Sequence, residues 1–343
     1  MNIKLKEIYN LVKYRNPYLK DIDLDMSSIE SLNDIYAGFL LNGLAKIDKG
    51  GTKVTYNTTY INSNKVKGKI DITKSIKTGA LANGRLVCKT TKLSPDNVYN
   101  RLIKLAINCL IFNRNECMGL NPRLRGRIIY YKDKFYNVSD EPFLMKPEYR
   151  DVVESAPEHY KEAISTAYNI VLNYLSLSKD GNKRLLYLSD DDRVRGLFAQ
   201  FIIDVANKKF LGSTEVRING NIRQRKIVDD LHHVSYAPDL IVDRVKDKKY
   251  FALDASCDSK NASFGKLDSS FISSEAANGL RITFIADNWN EENIEYSRDF
   301  YFNGRTKTYE SVIFMNRPMK EVEKSIGYSL DRVLFELNRR IFD

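Results

Sequence analysis

The sequence predicts a mixed α/β fold in two parts, a basic helix-and-strand domain over residues 1–150 and a second domain over 151–343 with helices on the faces of a sheet. Three observations predict it. Apolar residues recur at three- and four-residue steps in long segments of both halves, the helical period. Between them lie β-branched and aromatic runs bounded by turn residues. The second half reads as helices, then strands, then a flanking helix, an order that suits a mixed sheet covered by helices. At 343 residues, 43% hydrophobic and 29% charged, the chain is long enough for two ordinary domains.

The first 46 residues carry Ile8, Tyr9 and Val12, then Ile29, Leu32, Ile35, Tyr36, Phe39, Leu40 and Leu44 at helical spacing, with Ser27 or Ser28 as the expected cap of the second helix. Residues 53–72 turn β-branched and aromatic around Asn62, Ser63 and Asn64, which predicts a hairpin followed by a strand. Ser94-Pro95-Asp96 opens a helix whose stripe is Val98, Leu102, Leu105, Ala106, Cys109 and Leu110, with Arg101 and Lys104 off it. The run from Pro122 to Pro147 is basic and aromatic, and an exposed strand or loop is expected there. The domain boundary is expected near 147–157.

Ser155-Ala156-Pro157, a cap followed by a first-turn proline, leads an amphipathic helix through Ile164, Ala167, Ile170 and Val171. Lys179 to Lys183 reads as a turn. Asp190 to Phe210 is a helix with the stripe Val194, Leu197, Phe198, Phe201, Ile202 and Val205, and Lys320 to Phe342 is the last helix. No repeat or low-complexity tract interrupts this order.

Charge narrows the function. The net charge of +10 is uneven, for residues 51–150 hold 19 basic against 7 acidic side chains, a surplus of +12. That half is expected to face something negative: nucleic-acid phosphate, an acidic protein surface or an anionic membrane. No stretch approaches the roughly 18 uncharged apolar residues of a membrane span, and the N-terminus has no signal-peptide core. The chain is therefore expected in the cytoplasm. Cys88, Cys109, Cys117 and Cys257 form no CxxC pair, and His232 and His233 stand in no metal-ligating cluster. There is no GxxxxGK[ST] loop and no GxSxG elbow.

One constellation carries chemistry. Ala237-Pro238-Asp239-Leu240-Ile241-Val242, a charged turn, and Tyr250-Phe251-Ala252-Leu253-Asp254-Ala255-Ser256 read as a β-hairpin. Period two puts Ala252, Asp254 and Ser256 on one face. A carboxylate at Asp239 and another at Asp254 would converge on a divalent metal, the arrangement of PD-(D/E)xK nucleases, in which a lysine two residues after the second acid orients or activates water. Ser256 stands at that lysine position.

Three stretches resemble the McrC family over nearly the whole chain. Val66-Lys67-Gly68-Lys69-Ile70-Asp71-Ile72-Thr73-Lys74-Ser75-Ile76-Lys77-Thr78 is similar to its "(R/K)GKIDI(T/S)xSI" signature. Leu86-Val87-Cys88 with Ser94 to Leu105 resembles "LVC…S.DN..NR.IK". Arg193 to Ile202 resembles the arginine-led helix with "L(Y/F)ExF". The resemblance implies a basic N-terminal domain that engages the pore of a hexameric McrB-type AAA+ GTPase and stimulates it. A C-terminal PD-(D/E)xK restriction-endonuclease-like domain would then cut DNA with Mg²⁺, alongside other restriction subunits where these exist. Lys65, Lys67, Lys69, Arg101 and Lys104 become candidate contacts to DNA phosphate or to the ring. Gly68 would serve the backbone of a tight strand entry, and Asp71 would bond locally.

Two departures bear on catalysis, Ser256 for the lysine and Ala199 for the helix-borne acid. Asp239 and Asp254 remain as the metal-binding pair, with Lys260 the best displaced ammonium, ahead of Lys248 or Lys249. Asp204 or Glu215 would have to replace the lost acid, and Asp204, five residues from Ala199 and roughly 140° round the helix, is poorly placed for it. The alternative reading is a catalytically inactive adaptor that stimulates the partner NTPase and binds DNA.

Overall fold

A computed structural model describes residues 3–111, 119–141, 148–177, 183–185, 190–213, 216–219, 240–244, 250–257, 279–287, 297–302 and 306–339. The chain forms two compact units, one of Met1–Tyr36, Asn115–Asn121 and Leu172–Asp343, the other of Ala37–Arg114 and Pro122–Val171. They divide the chain differently from a single cut at 150, because the first helix belongs with the C-terminal residues.

In the first unit, α1 (Leu5–Arg15), α8 (Asp190–Phe210) and α9 (Met319–Arg339) accompany a sheet. Its strands are β6 (Val216–Asn219), β7 (Leu240–Arg244), β8 (Tyr250–Ser256), β9 (Gly279–Asp287), β10 (Ser297–Phe302) and β11 (Thr306–Phe314). The order is β10-β11-β9-β8-β7-β6. β6, β7 and β8 form an antiparallel meander, β8 to β9 and β9 to β11 are parallel, and β10 returns antiparallel to β11. β9 is buried at Ile282, Phe284, Ile285 and Ala286, the near-continuous apolar run of a strand covered on both faces. α9 buries Val322, Ile326, Leu330 and Val333, one stripe at helical spacing, and α8 buries Phe198, Phe201 and Ile202. The mixed α/β class is thus as expected, and the spans of α8 and α9 follow the stripes that predict them.

In the second unit, α4 (Val98–Ile111) is buried at every position from Leu102 to Leu110, so it is the hub of an all-round core rather than a surface helix. Around it stand α5 (Pro122–Lys134), α6 (Glu148–Ser155), α7 (Lys161–Tyr174) and the Ala37–Gly50 part of α2 (Leu32–Gly50). The unit also holds a sheet of order β1-β3-β2, made of β1 (Thr55–Ser63), β2 (Lys69–Ile70) and β3 (Leu86–Ser94), with α3 (Ile72–Lys77) between β2 and β3. In the first unit, β4 (Leu175–Leu177) pairs antiparallel with β5 (Lys183–Leu185). The turn expected between them lies partly outside the described residues.

Three local expectations are corrected. α2 is capped by Ser31, whose Oγ accepts from the Asp34 amide at 3.1 Å, because Ser27 and Ser28 are taken up in a 3-10 turn capped by Asp25. β1 forms no hairpin with β2. It pairs along nine residues with β3, since β2 offers only two residues to a ladder. Pro122 to Lys134 is a helix, not a strand or loop: Leu124, Ile128, Tyr131 and Phe135 are buried at i, i+4, i+7 and i+11, and that period outweighs the basic and aromatic composition around it.

Candidate functional site

The signature stretch builds a small exposed module. Gly68 has φ +82, and a Cβ there would lie 2.5 Å from the Lys89 carbonyl oxygen, so only glycine fits the entry to β2. Asp71 caps α3 by accepting from the Lys74 amide at 2.8 Å, the local role expected of it. The buried Ser75 hydroxyl donates to the Asp71 carbonyl at 2.7 Å and accepts from the Val87 amide at 2.8 Å, tying α3 to β3. At the base, the Lys53 carbonyl accepts from Asn97 at 2.8 Å and from the buried Asn100 at 3.0 Å. Asn100 in turn accepts from the Tyr160 hydroxyl at 2.9 Å. The module is therefore rigidly rooted in α4.

Its outer surface is apolar and basic together. Register sets Tyr56 opposite Leu93 and Tyr60 opposite Lys89, and Lys69 opposite Lys89 on the other side. These positions share one face of the sheet. Tyr56 is 74% exposed and Leu93 59%, and α3 leaves Ile72 and Ile76 more than half exposed. Lys74 stands over the Tyr60 ring, 3.0 Å from its centroid. Lys65, Lys67 and Lys69 are exposed, as are Lys77, Arg85 and Lys92. Exposed apolar side chains interspersed with cations on one small module suit an interaction surface.

Arg101 and Lys104 take no part in that surface, which corrects their place among the contacts. Arg101 forms a two-pronged pair with Asp96 at 2.6 and 2.8 Å and reaches Glu141 at 3.5 Å. Lys104 is buried, donating to the Val138 carbonyl at 2.5 Å and pairing with Asp140 at 3.1 Å. A cation as enclosed as Lys104 must find internal acceptors, whereas Arg101, its side chain 35% exposed, is held in place by its two carboxylates. Arg101, followed by the Ser139 hydroxyl and amide, holds the Asp96 carboxyl well below the usual carboxylate range. A depressed carboxylate stabilises fully above its unfolded value and loses that contribution as pH falls through the folded one. The stability gap between wild type and Asp96→Asn is therefore expected to be constant above about pH 5 and to close as pH drops below about 4. Chemical denaturation along a pH series measures it, and a gap that widens on acidification would refute the pairing.

In the other unit, β7 and β8 form the expected antiparallel pair, with Leu240 opposite Leu253 and Val242 opposite Phe251. Asp254 lies one residue past the Leu240 pair and faces Thr283 of β9, while Ser256 faces Ile285. Leu253, Ala255 and Cys257 are buried, leaving positions 252, 254 and 256 to the opposite face. Asp239 and Lys260 lie outside the described residues, as do His232, His233, Cys117, Glu215, Lys248 and Lys249. Ala199 is buried on α8 beside Phe198, Phe201 and Ile202, surroundings that would penalise a carboxylate at that position. Asp204 is engaged by Arg15 at 2.8 Å and Gln200 at 3.3 Å, a salt bridge rather than a replacement acid.

Residues 5–266 match the McrBC 5-methylcytosine restriction system component. The chain belongs to that family. The match includes both the rooted apolar and basic module and the β7–β8 hairpin. Among individual McrBC proteins, the type IV methyl-directed restriction enzyme EcoKMcrBC of Escherichia coli K12 is 23% identical over 221 residues, 63% of this chain. This chain spans 62% of the length of that relative. Among solved structures, a half-complex from the tetradecameric assembly of Thermococcus gammatolerans McrB AAA+ hexamers with bound McrC aligns with TM-score 0.45 and 12% identity. The alignment covers 95% of this chain and 75% of that one. The T. gammatolerans McrBC complex aligns with TM-score 0.34 and 11% identity over 61% and 60%.

Sequence reading missed the exposed apolar members of the McrBC module, Tyr56, Leu93, Ile72 and Ile76. Alternation in Tyr56-Asn57-Thr58-Thr59-Tyr60 was the available signal, for it sets both tyrosines on one face of a strand with no long apolar partner run. Among the described residues, no helix is long and apolar enough to cross a membrane.

Proposed function

We propose that this chain is the McrC-type subunit of a cytoplasmic, multi-component restriction system. It docks on a McrB-type AAA+ GTPase ring through the β1–β3 module and α3, stimulates GTP hydrolysis, and brings DNA to the Asp239 and Asp254 hairpin for magnesium-dependent cleavage. The observation that carries this reading is the family match over residues 5–266, which takes in the module and the hairpin together. The module's form supports ring docking: its exposed aliphatic and tyrosine side chains supply apolar contact, and its lysines steer it to an acidic pore.

The PD-(D/E)xK assignment of the sheet unit rests on the β7–β8 pair and the parallel β9 beside it. The donor set suits the metal, since two carboxylates are the hard oxygen ligands Mg²⁺ takes. A carboxylate borne on β8, hydrogen-bonded to strands on both sides, is held on a rigid element. Asp239 and Asp254 would hold the ion, which when bound polarises the scissile phosphate. Lys260 is the chain's candidate for orienting the attacking water, with the Ser256 hydroxyl as an uncharged second.

A second reading, an inactive nuclease-fold adaptor that stimulates the GTPase and binds DNA, is favoured by Ser256 and by the apolar burial of Ala199. One experiment separates them: GTP turnover by the cognate ring and nicking of supercoiled plasmid, each with and without this chain, in Mg²⁺ and in EDTA. Stimulated turnover with nicking that EDTA stops supports the first reading. Stimulated turnover without nicking supports the adaptor. No stimulation, with the chain folded, refutes ring docking.

A further inference from the structure

We propose that the solvent face of α5 binds the phosphate backbone of duplex DNA, a contact separate from both the β1–β3 module and the β7–β8 hairpin. The inference deepens the reading above and rests on it for the choice of DNA as ligand. Four features of α5 carry it. Leu124, Ile128, Tyr131 and Phe135 are buried, so the helix is fixed along one side and its remaining surface faces water. On that surface Arg123, Arg127, Tyr130 and Lys134 follow one another at i, i+4, i+7 and i+11, a single row on one shoulder. Arg125 stands on the other shoulder. The row runs about 16 Å along the axis, the span of about five phosphates of one strand.

The residue types favour phosphate. Arginine presents a planar fork that matches phosphate oxygens, and among the described residues no carboxylate pairs with Arg125 or Arg127. Both are exposed. Lys134, by contrast, is anchored by Asp48 at 2.7 Å and lies 4.7 Å from the Tyr130 ring centroid, so it serves to hold the row in place. Tyr130 is 57% exposed, and a tyrosine hydroxyl is a common donor to phosphate.

Gly126 adds an independent observation. It lies between the two shoulders, inside a helix that glycine weakens, and a Cβ there would meet nothing within 4 Å. No packing among the described residues requires its small size. At its N-terminal end the crest between the two cationic shoulders is bare at Gly126, so a DNA backbone can approach the helix closely there, while Ile129 and the exposed Asp133 occupy the crest further along. An acidic protein would offer carboxylates at spacings set by its own fold, whereas a duplex offers an unbroken phosphate row that a one-turn repeat of cations meets repeatedly.

The test is binding of the full chain to a short fluorescein-labelled duplex across a salt series, followed by anisotropy. The variants are Arg125→Ala with Arg127→Ala, Gly126→Leu, and Lys65→Ala with Lys67→Ala and Lys69→Ala. The arginine pair is expected to weaken binding by about tenfold or more and to reduce the slope of log K against log salt by about 2, the signature of two lost phosphate contacts. Gly126→Leu is expected to weaken binding without lowering the melting temperature, and the lysine triple serves as the comparison that separates any contribution of the β1–β3 module from that of α5. An unchanged slope in the arginine pair overturns the proposal. So does intact DNA binding with lost GTPase stimulation, which would give the face to a protein partner. A slope reduced in the arginine pair, beside a wild-type chain that stimulates no GTPase, would sink ring docking and leave this inference standing.

Discussion

Ser256→Lys is expected to raise magnesium-dependent nicking by about 10²-fold or more, and Asp254→Ala to remove it. The backbone supports the exchange. Ser256 closes β8 in register with Ile285 of β9, and positions 254 and 256 fall on the same strand face, two residues apart, as an acid and its partner lysine must. A lysine there supplies the positive charge that a hydroxyl lacks, and it does so where water would attack. The measurement is the initial rate of plasmid nicking with the partner ring and GTP present, for wild type, each single variant and the double variant. A rate gained in Ser256→Lys but kept in Ser256→Lys/Asp254→Ala would show that the nuclease site is elsewhere. No gain, with Lys260→Ala abolishing a wild-type rate, would show that Lys260 already fills the role.

Gly68→Ala is expected to destabilise the second unit by about 2–4 kcal/mol, the sum of forcing a side chain into left-handed backbone and pressing a methyl group into a fixed neighbour. The neighbour cannot yield cheaply, because the Lys89 carbonyl oxygen, 2.5 Å from the added Cβ, is backbone inside the β1–β3–β2 sheet. The effect should be local: β2 detaches from β3, Lys67 and Lys69 lose their place, and stimulation of the GTPase falls. Hydrogen exchange would report it as lost protection at Asp71, whose amide donates to the Val87 carbonyl at 2.8 Å, with the β8 and β9 amides unchanged. Full protection at Asp71 in the variant would count against the conformational role given to Gly68.

Legibility differed by element for physical reasons. α8, α9 and the stripe of α4 were readable because a helix buried along one side repeats its apolar residues at a fixed local period. Asp71 and Gly68 were readable because capping and left-handed entry act within a few residues. The pairing of β1 with β3 was not readable, since it joins segments some thirty residues apart and a nearer strand candidate competed for it. α5 is poorly legible because its composition, rich in arginine and tyrosine, masks the buried period of Leu124, Ile128 and Tyr131. Of the site residues, Asp254 and Ser256 fall in a strand as expected, and Lys65, Lys67 and Lys69 are exposed. Asp239 and Lys260 lie outside the described residues.

By itself the sequence determined the family, the mixed α/β class, the basic bias of one half and the two substitutions at Ser256 and Ala199, all of which depend on residue identity and local spacing. Only the tertiary structure decided which cations are available to a partner. Arg101 and Lys104 lie off the apolar stripe of α4 and read as a solvent edge, yet the Val138 to Glu141 segment meets that edge with a carbonyl and carboxylates that bury Lys104 and tie down the partly exposed Arg101. Burial depends on what folds over a helix from elsewhere in the chain, and no period within the helix records it.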